Sequence, residues 1–193
     1  MTEGIALCEA DELPCPTESL VDTVHLELKE GTNWLFLSSI VTILCLEVLE
    51  ELHVEEPLLD DETLFAVVLA TFGGCGTNGA HTNCTLKTLE NRLIAIEKQG
   101  GNGLAVISGT GAQPGILNLQ CTIIGFPLNC DYLGQELTFP VEGAGHTEGA
   151  GNGRLIAEKT PAKITETLGG LFCPAESALD GELVSSDPVY ITG

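Results

Sequence analysis

Short apolar, β-branched segments recur along this chain at spacings of roughly 10 to 12 residues, a rhythm that suits an antiparallel sandwich or barrel. The segments are residues 84–89, 92–97, 104–108, 116–124, 137–141, 154–158 and 189–191, and 23 glycines supply breaks along the chain. Upstream, Thr23-Val-His-Leu-Glu-Leu28 alternates in polarity, and after Gly31-Thr-Asn33 a second extended run starts at Trp34. That arrangement predicts a hairpin. Residues 40–49 form an apolar stretch long enough for a buried strand or a helix, and their β-branched content, with Thr42, favours strand.

One segment reads differently. Leu64, Phe65, Val68, Leu69 and Phe72 fall at helical spacing, with Asp60 or Asp61 as N-cap, Glu62 in the first turn and Gly73-Gly74 as a stop. A principal helix is therefore predicted at about residues 61–72. The expected fold class is mainly β: a β-sandwich or barrel with that one flanking helix and extended arms and loops.

A length of 193 residues suits a single domain. Residues 1–20, acidic and holding Pro14 and Pro16, show no sustained period and read as an irregular N-terminal arm. Residues 21–193 read as one β-rich domain, with a Gly-rich loop at 142–153 and a C-terminal extension from about 160. The first residues lack a basic region and a long apolar stretch, and no apolar run approaches ~18 residues. The chain is expected to be made in the cytosol, without general export and without a membrane-spanning segment.

Charge narrows function more than fold. Seven Lys and Arg stand against 28 Asp and Glu, a formal charge of -21, although charged residues make up only 18% of the chain. The imbalance comes from missing cations, and the 44% hydrophobic content supports a real core. Lys29, Lys87, Arg92, Lys98, Arg154, Lys159 and Lys163 form no basic patch. Binding to nucleic acid by phosphate neutralisation is thereby excluded.

Candidate chemistry is sparse. Cys75, His81 and Cys84 are the one compact group with metal-ligand residue types, but two close ligand pairs, as in Cys-x-x-Cys, are wanting, and a disulfide between Cys75 and Cys84 competes with that use. Cys8 with Cys15, and Cys121 with Cys130, are further local pairs. Counting Cys45 and Cys173, the eight cysteines allow 105 full pairings, and those in the arms, Cys8, Cys15 and Cys173, could instead join subunits. Oxidised cysteines and cytosolic synthesis are reconciled if a particle assembles inside a cell and is oxidised after release. Gly109-Thr-Gly-Ala-Gln-Pro-Gly115 fails as a dinucleotide loop, because its third glycine is one place late and Pro114 precedes a β-patterned run. Asp60, Asp61 and Glu62 are explained by helix capping. His25, His53, His81 and His146 are dispersed, with no Ser-His-Asp or Cys-His order. No catalytic residue, cofactor site or metal site is assigned, and the chain is expected not to be an enzyme.

Residues 56–135 resemble the tail tube proteins of tailed bacteriophages. The likeness lies in Leu58-Leu-Asp-Asp-Glu-Thr-Leu-Phe-Ala-Val-Val-Leu-Ala-Thr-Phe-Gly-Gly74, in Thr82-Asn-Cys-Thr-Leu86 and Leu93-Ile-Ala-Ile-Glu-Lys-Gln99, and in the run from Gly115 to Gln135. The resemblance implies a virion structural protein assembled in the host cytoplasm, with subunits in rings, usually hexameric, stacked into a tube. Its partners would be its own copies and other tail proteins, with genomic DNA passing through without specific binding. An almost cation-free lumen would offer no phosphate-binding stop along that path. A capsid decoration protein and a neck or tail-completion protein are alternatives. A small enzyme or ligand-binding β-domain using the Cys75 to Cys84 loop is an alternative of a different class.

Overall fold

Alternation of buried and exposed residues marks most of the described strands. The computed structural model describes residues 4–39, 41–55, 63–78, 82–86, 89–100, 102–107, 117–134, 137–145, 152–168, 173 and 176–192. The strands are, in order, β1 (Ala6–Cys8), β2 (Thr23–Leu28), β3 (Trp34–Ser38), β4 (Thr42–Cys45), β5 (Glu47–Val54), β6 (Thr63–Gly73), β7 (Gly76–Thr77) and β8 (Thr82–Leu86). They continue with β9 (Leu89–Gln99), β10 (Asn102–Ile107), β11 (Leu117–Ile123), β12 (Phe126–Gly134), β13 (Leu137–Glu142), β14 (Arg154–Leu168), β15 (Glu176–Ser185) and β16 (Tyr190–Thr192). Among the described residues the one helical element is a 3-10 turn at Thr17–Ser19.

Eight strands close a barrel. In sequence order β2, β5, β6, β9, β10, β13, β14 and β15 each pair antiparallel with the next, and β15 returns to β2 through Leu183↔Leu28 and Ser185↔Leu26. This is an up-and-down meander with two further strands inserted at each of three places between consecutive wall strands: β3 and β4, β7 and β8, and β11 and β12. A barrel of this size is filled by its own side chains. Phe36, Leu64, Val68, Ile94, Ile96 and Leu183 are among the fully buried residues of the continuous core.

The long strands β14 and β15 run beyond the barrel. Their inner parts pair through Leu155↔Leu183, and after a register shift between Ala157 and Thr160 their outer parts pair through Ala162↔Ser177. On the outer part of β15 sits a flank of β3, β4 and β7, and on the outer part of β14 a flank of β12, β11 and β8. The opposite end is capped by the ribbon of β1 and β16, whose Leu7 and Ile191 line a space shared with Val24, Leu26, Ile94 and Ile96. Gly103 makes room there, since a Cβ at that position would stand 3.3 Å from the Ile191 Cδ1 atom.

The expectation of a mainly β barrel or sandwich resolves to a barrel, and two local expectations are corrected. No helix forms at 61–72: Asp61 and Glu62 lie outside the described residues, and Thr63–Gly73 is β6. Its run of apolar residues satisfies both periods, and it is the period-two set Leu64, Ala66, Val68 and Ala70 that is buried. Pairing on both sides, with β5 and with β9, fixes the strand. The second correction concerns β2 and β3, which are both strands but do not form a hairpin. They pair with successive stretches of β15 instead, β2 with Leu183–Ser185 and β3 with Ser177–Asp180. The N-terminal 20 residues supply β1, and the segment from about 160 supplies the outer part of β14 and all of β15. The loop at 142–153 is described only at its ends.

Candidate functional site

All eight cysteines are paired within the chain: Cys8–Cys15, Cys45–Cys75, Cys84–Cys121 and Cys130–Cys173. The expected Cys8–Cys15 bond is present. The bonds considered for Cys75 with Cys84 and for Cys121 with Cys130 are not made, because strand pairing brings other partners opposite. Cys84 and Cys121 are direct cross-strand neighbours on β8 and β11, and Cys45 and Cys75 extend the register of β4 with β7. Bonds between subunits through Cys8, Cys15 or Cys173 are likewise corrected, since no cysteine is free. The metal or ligand candidate at 75–84 loses its two thiolates to separate disulfides, and His81 lies outside the described residues.

Three of the four bonds staple the two outer flanks, and none joins one barrel wall strand to another. The barrel closes on hydrogen bonds and a filled interior. The flanks bury residues such as Phe36, Ile43 and Leu119, and covalent links add to that burial.

On the outer wall His25 and His53 lie on either side of Glu51, at 3.6 and 3.5 Å, and the Thr23 hydroxyl stands 3.3 Å from His53 Nδ1. A hydroxyl, an imidazole and a carboxylate in sequence resemble a catalytic relay. Here both imidazoles are more than half exposed, and the contacts are longer than those of an activated nucleophile and its base. A second cluster joins Lys29, Glu182, Arg154 and Glu142. Lys29 donates to both Glu182 oxygens at 3.0 and 2.9 Å, and Arg154 donates to Glu182 at 3.1 Å and to Glu142. Burial alone would raise the Glu182 carboxyl, but the hydrogen bonds from Lys29 and Arg154 outweigh it and hold it below its ordinary value. The cluster fastens β2 and β14 to β15 and is occupied by its own ion pairs.

Where the barrel meets the flanks, one charged side chain among the described residues points inward. Glu50 holds the interior parity of β5 between Val48 and Leu52 and is 7% exposed. Burial pushes its carboxyl up to about 7. Trp34 packs at the same junction against Gly181, where a Cβ would stand 2.5 Å from the indole Cε3 atom.

Among the described residues the turn between β11 and β12 carries the two most exposed large apolar side chains. Ile124 and Phe126 are each 75% exposed, and Ile124 has φ 50, a conformation β-branched residues avoid. From Gln99 to Cys130 the sequence has no charged residue, and β8, paired to β11, has none either. In a chain of charge -21 this hairpin is a neutral island.

Asp60, Asp61, Glu62, Gly109–Gly115 and His146 lie outside the described residues. Glu50, Trp34, Ile124 and Phe126 were not singled out as site residues from the sequence. The signal for Glu50 was its place in the alternation Val48, Glu50, Leu52, and that for Ile124 was an Ile-Gly turn between two β-patterned runs. Among the described residues no helix is long and apolar enough to cross a membrane. The outer face of the barrel wall carries Glu27, Glu47 and Glu51 together with the exposed apolar residues Leu49, Phe65 and Leu93. Comparisons with family models, curated proteins and solved structures returned no match.

Proposed function

We propose that this protein is a non-enzymatic structural subunit that works outside the reducing cytosol and joins its neighbours through the β11–β12 hairpin. The observation that carries the reading is the exposed pair Ile124 and Phe126 on a charge-free hairpin of a chain with charge -21. Copies of so acidic a protein repel one another, and a neutral apolar tip is the surface on which contact costs least. A left-handed backbone at an isoleucine costs stability locally, and such strain persists where the exposed side chain serves a purpose. Four disulfides support use in an oxidising setting, such as a released particle or a cell exterior.

The narrower form of the proposal is the phage tail tube subunit, with rings stacked about an acidic lumen and DNA passing through. The scarcity of cations and the outward carboxylates of the barrel wall support it. The resemblance in sequence supports it only weakly, because the segment matched as a helix is β6. Sedimentation velocity and negative-stain electron microscopy of the oxidised protein test both forms. Rings or stacked tubes support the tail tube, and smaller oligomers that dissociate on Phe126→Ser support the general reading alone. A protein that stays monomeric at high concentration refutes both.

A further inference from the structure

A carboxyl sealed in hydrocarbon is costly to ionise and costly to leave without a hydrogen bond. The Glu50 Oε1 atom has no protein partner, and neither does the indole Nε1 of Trp34, which is 4% exposed. Both side chains line one cavity of about 30 Å³ at the junction of barrel and flanks. That volume admits a water able to accept from the indole and donate to the carboxyl. The rest of the lining comes from β5, β6, β10, β13, β14 and β15 and is hydrocarbon, with Val48, Phe72, Ile107 and Phe139 among it. On β2 the residue opposite Glu50 is Leu26, and on β6 it is Ala70. Among the lining residues no second titratable or charged group faces the carboxyl.

We propose that Glu50 is a proton-linked lock at this junction, closing the Trp34 wall onto the barrel when neutral and drawing water into the seam when ionised. The folded chain keeps the proton up to a pH of about 7, whereas an unfolded glutamate releases it near 4.5. The stability that depends on the neutral form is therefore complete below pH 4.5 and is lost as pH rises through 7. The folding equilibrium constant falls by about 300-fold in all, the full loss being reached well above pH 7. None of the described residues lining the cavity is a cation that could receive the new charge, so among them ionisation is relieved by hydration. β3, which brings Trp34 to the same cavity, pairs with the outer part of β15.

Trp34 is the single tryptophan of the chain, which makes its fluorescence a local report on the seam. The native protein is expected to show a reversible red shift of emission centred near pH 7, and Glu50→Gln a flat profile. A variant with all four histidines replaced by glutamine is expected to keep the transition. A flat profile in the native protein, a transition that survives Glu50→Gln, or its loss in the histidine-free variant would each overturn the proposal. Should Glu50→Gln not fold, carbon-13 titration of the native glutamate carboxyls decides the matter. A Glu50 resonance that moves near neutral pH supports the lock, and one that moves with the surface glutamates overturns it.

Discussion

Removing one flank disulfide should cost a substantial share of the stability a single domain has to lose. The bonds Cys45–Cys75, Cys84–Cys121 and Cys130–Cys173 close loops with sequence separations of 30, 37 and 43 residues. These loops follow one another along the chain without overlapping, so each restricts the unfolded ensemble independently. The chain-entropy relation gives roughly 4 kcal/mol for each, and roughly 11 kcal/mol for the three. Net stabilities of single domains run from about 5 to 15 kcal/mol, so the fully reduced protein should have little or none left. The perturbation is the paired change Cys84→Ala and Cys121→Ala, which leaves no unpaired thiol and keeps two buried apolar positions. Urea unfolding should then show a loss of about 4 kcal/mol, plus a smaller contribution from the lost sulfur packing. Hydrogen exchange in the same variant should accelerate first in β8, β11 and β12, while β5, β6 and β9, which hold no cysteine, follow only with global unfolding. A loss below about 1 kcal/mol, or exchange that rises equally in wall and flank, would refute the argument that the flanks rely on covalent staples.

Ile124→Gly should raise stability by roughly 1 kcal/mol in thermal melts, by relieving the left-handed isoleucine, while weakening the self-association seen in sedimentation. Gly181→Ala should lower stability by roughly 1 to 3 kcal/mol and disturb Trp34 emission, since the new methyl would meet the indole at 2.5 Å. Ile94→Ala, at a position with no exposure in the barrel core, should cost about 2 to 5 kcal/mol in urea unfolding. For Glu182, whose carboxyl is held below its ordinary value by Lys29 and Arg154, stability is present above the unfolded value and falls as pH drops through the folded one. Glu182→Gln should remove that part of the acid-side slope in pH-dependent melts.

How far the sequence could be read depended on whether a feature was local. Alternation placed β2, β3, β9, β10, β11 and β13 close to their observed positions, because a strand with one buried face writes its period into its own residues. The segment Thr63–Gly73 offered no such contrast, being apolar on both faces, and capping residues decided it wrongly for a helix. What fixed it as a strand was its two neighbours, β5 and β9, and partners are not encoded in a window of one strand. Disulfide choice failed for the same reason. Cys8–Cys15 closes a short local loop and could be guessed, whereas Cys84 meets Cys121 only because β8 and β11 pair in that register.

The same distinction explains why the candidate sites escaped notice. Net charge is a sum and was legible at once, but its effect depends on position. Carboxylates on the outer wall, such as Glu27 and Glu47, sit in water and chiefly repel other acidic surfaces. Glu50 differs from them only in parity, and parity becomes meaningful once the barrel assigns an inside to β5. Acid should therefore act on two glutamates in opposite senses, weakening the Glu182 cluster while securing the junction at Glu50. A stability profile that rises from alkaline to mildly acid pH and falls again in strong acid follows from those two signs together. A monotonic profile would mean that one of the two carboxyls does not experience the surroundings the barrel gives it.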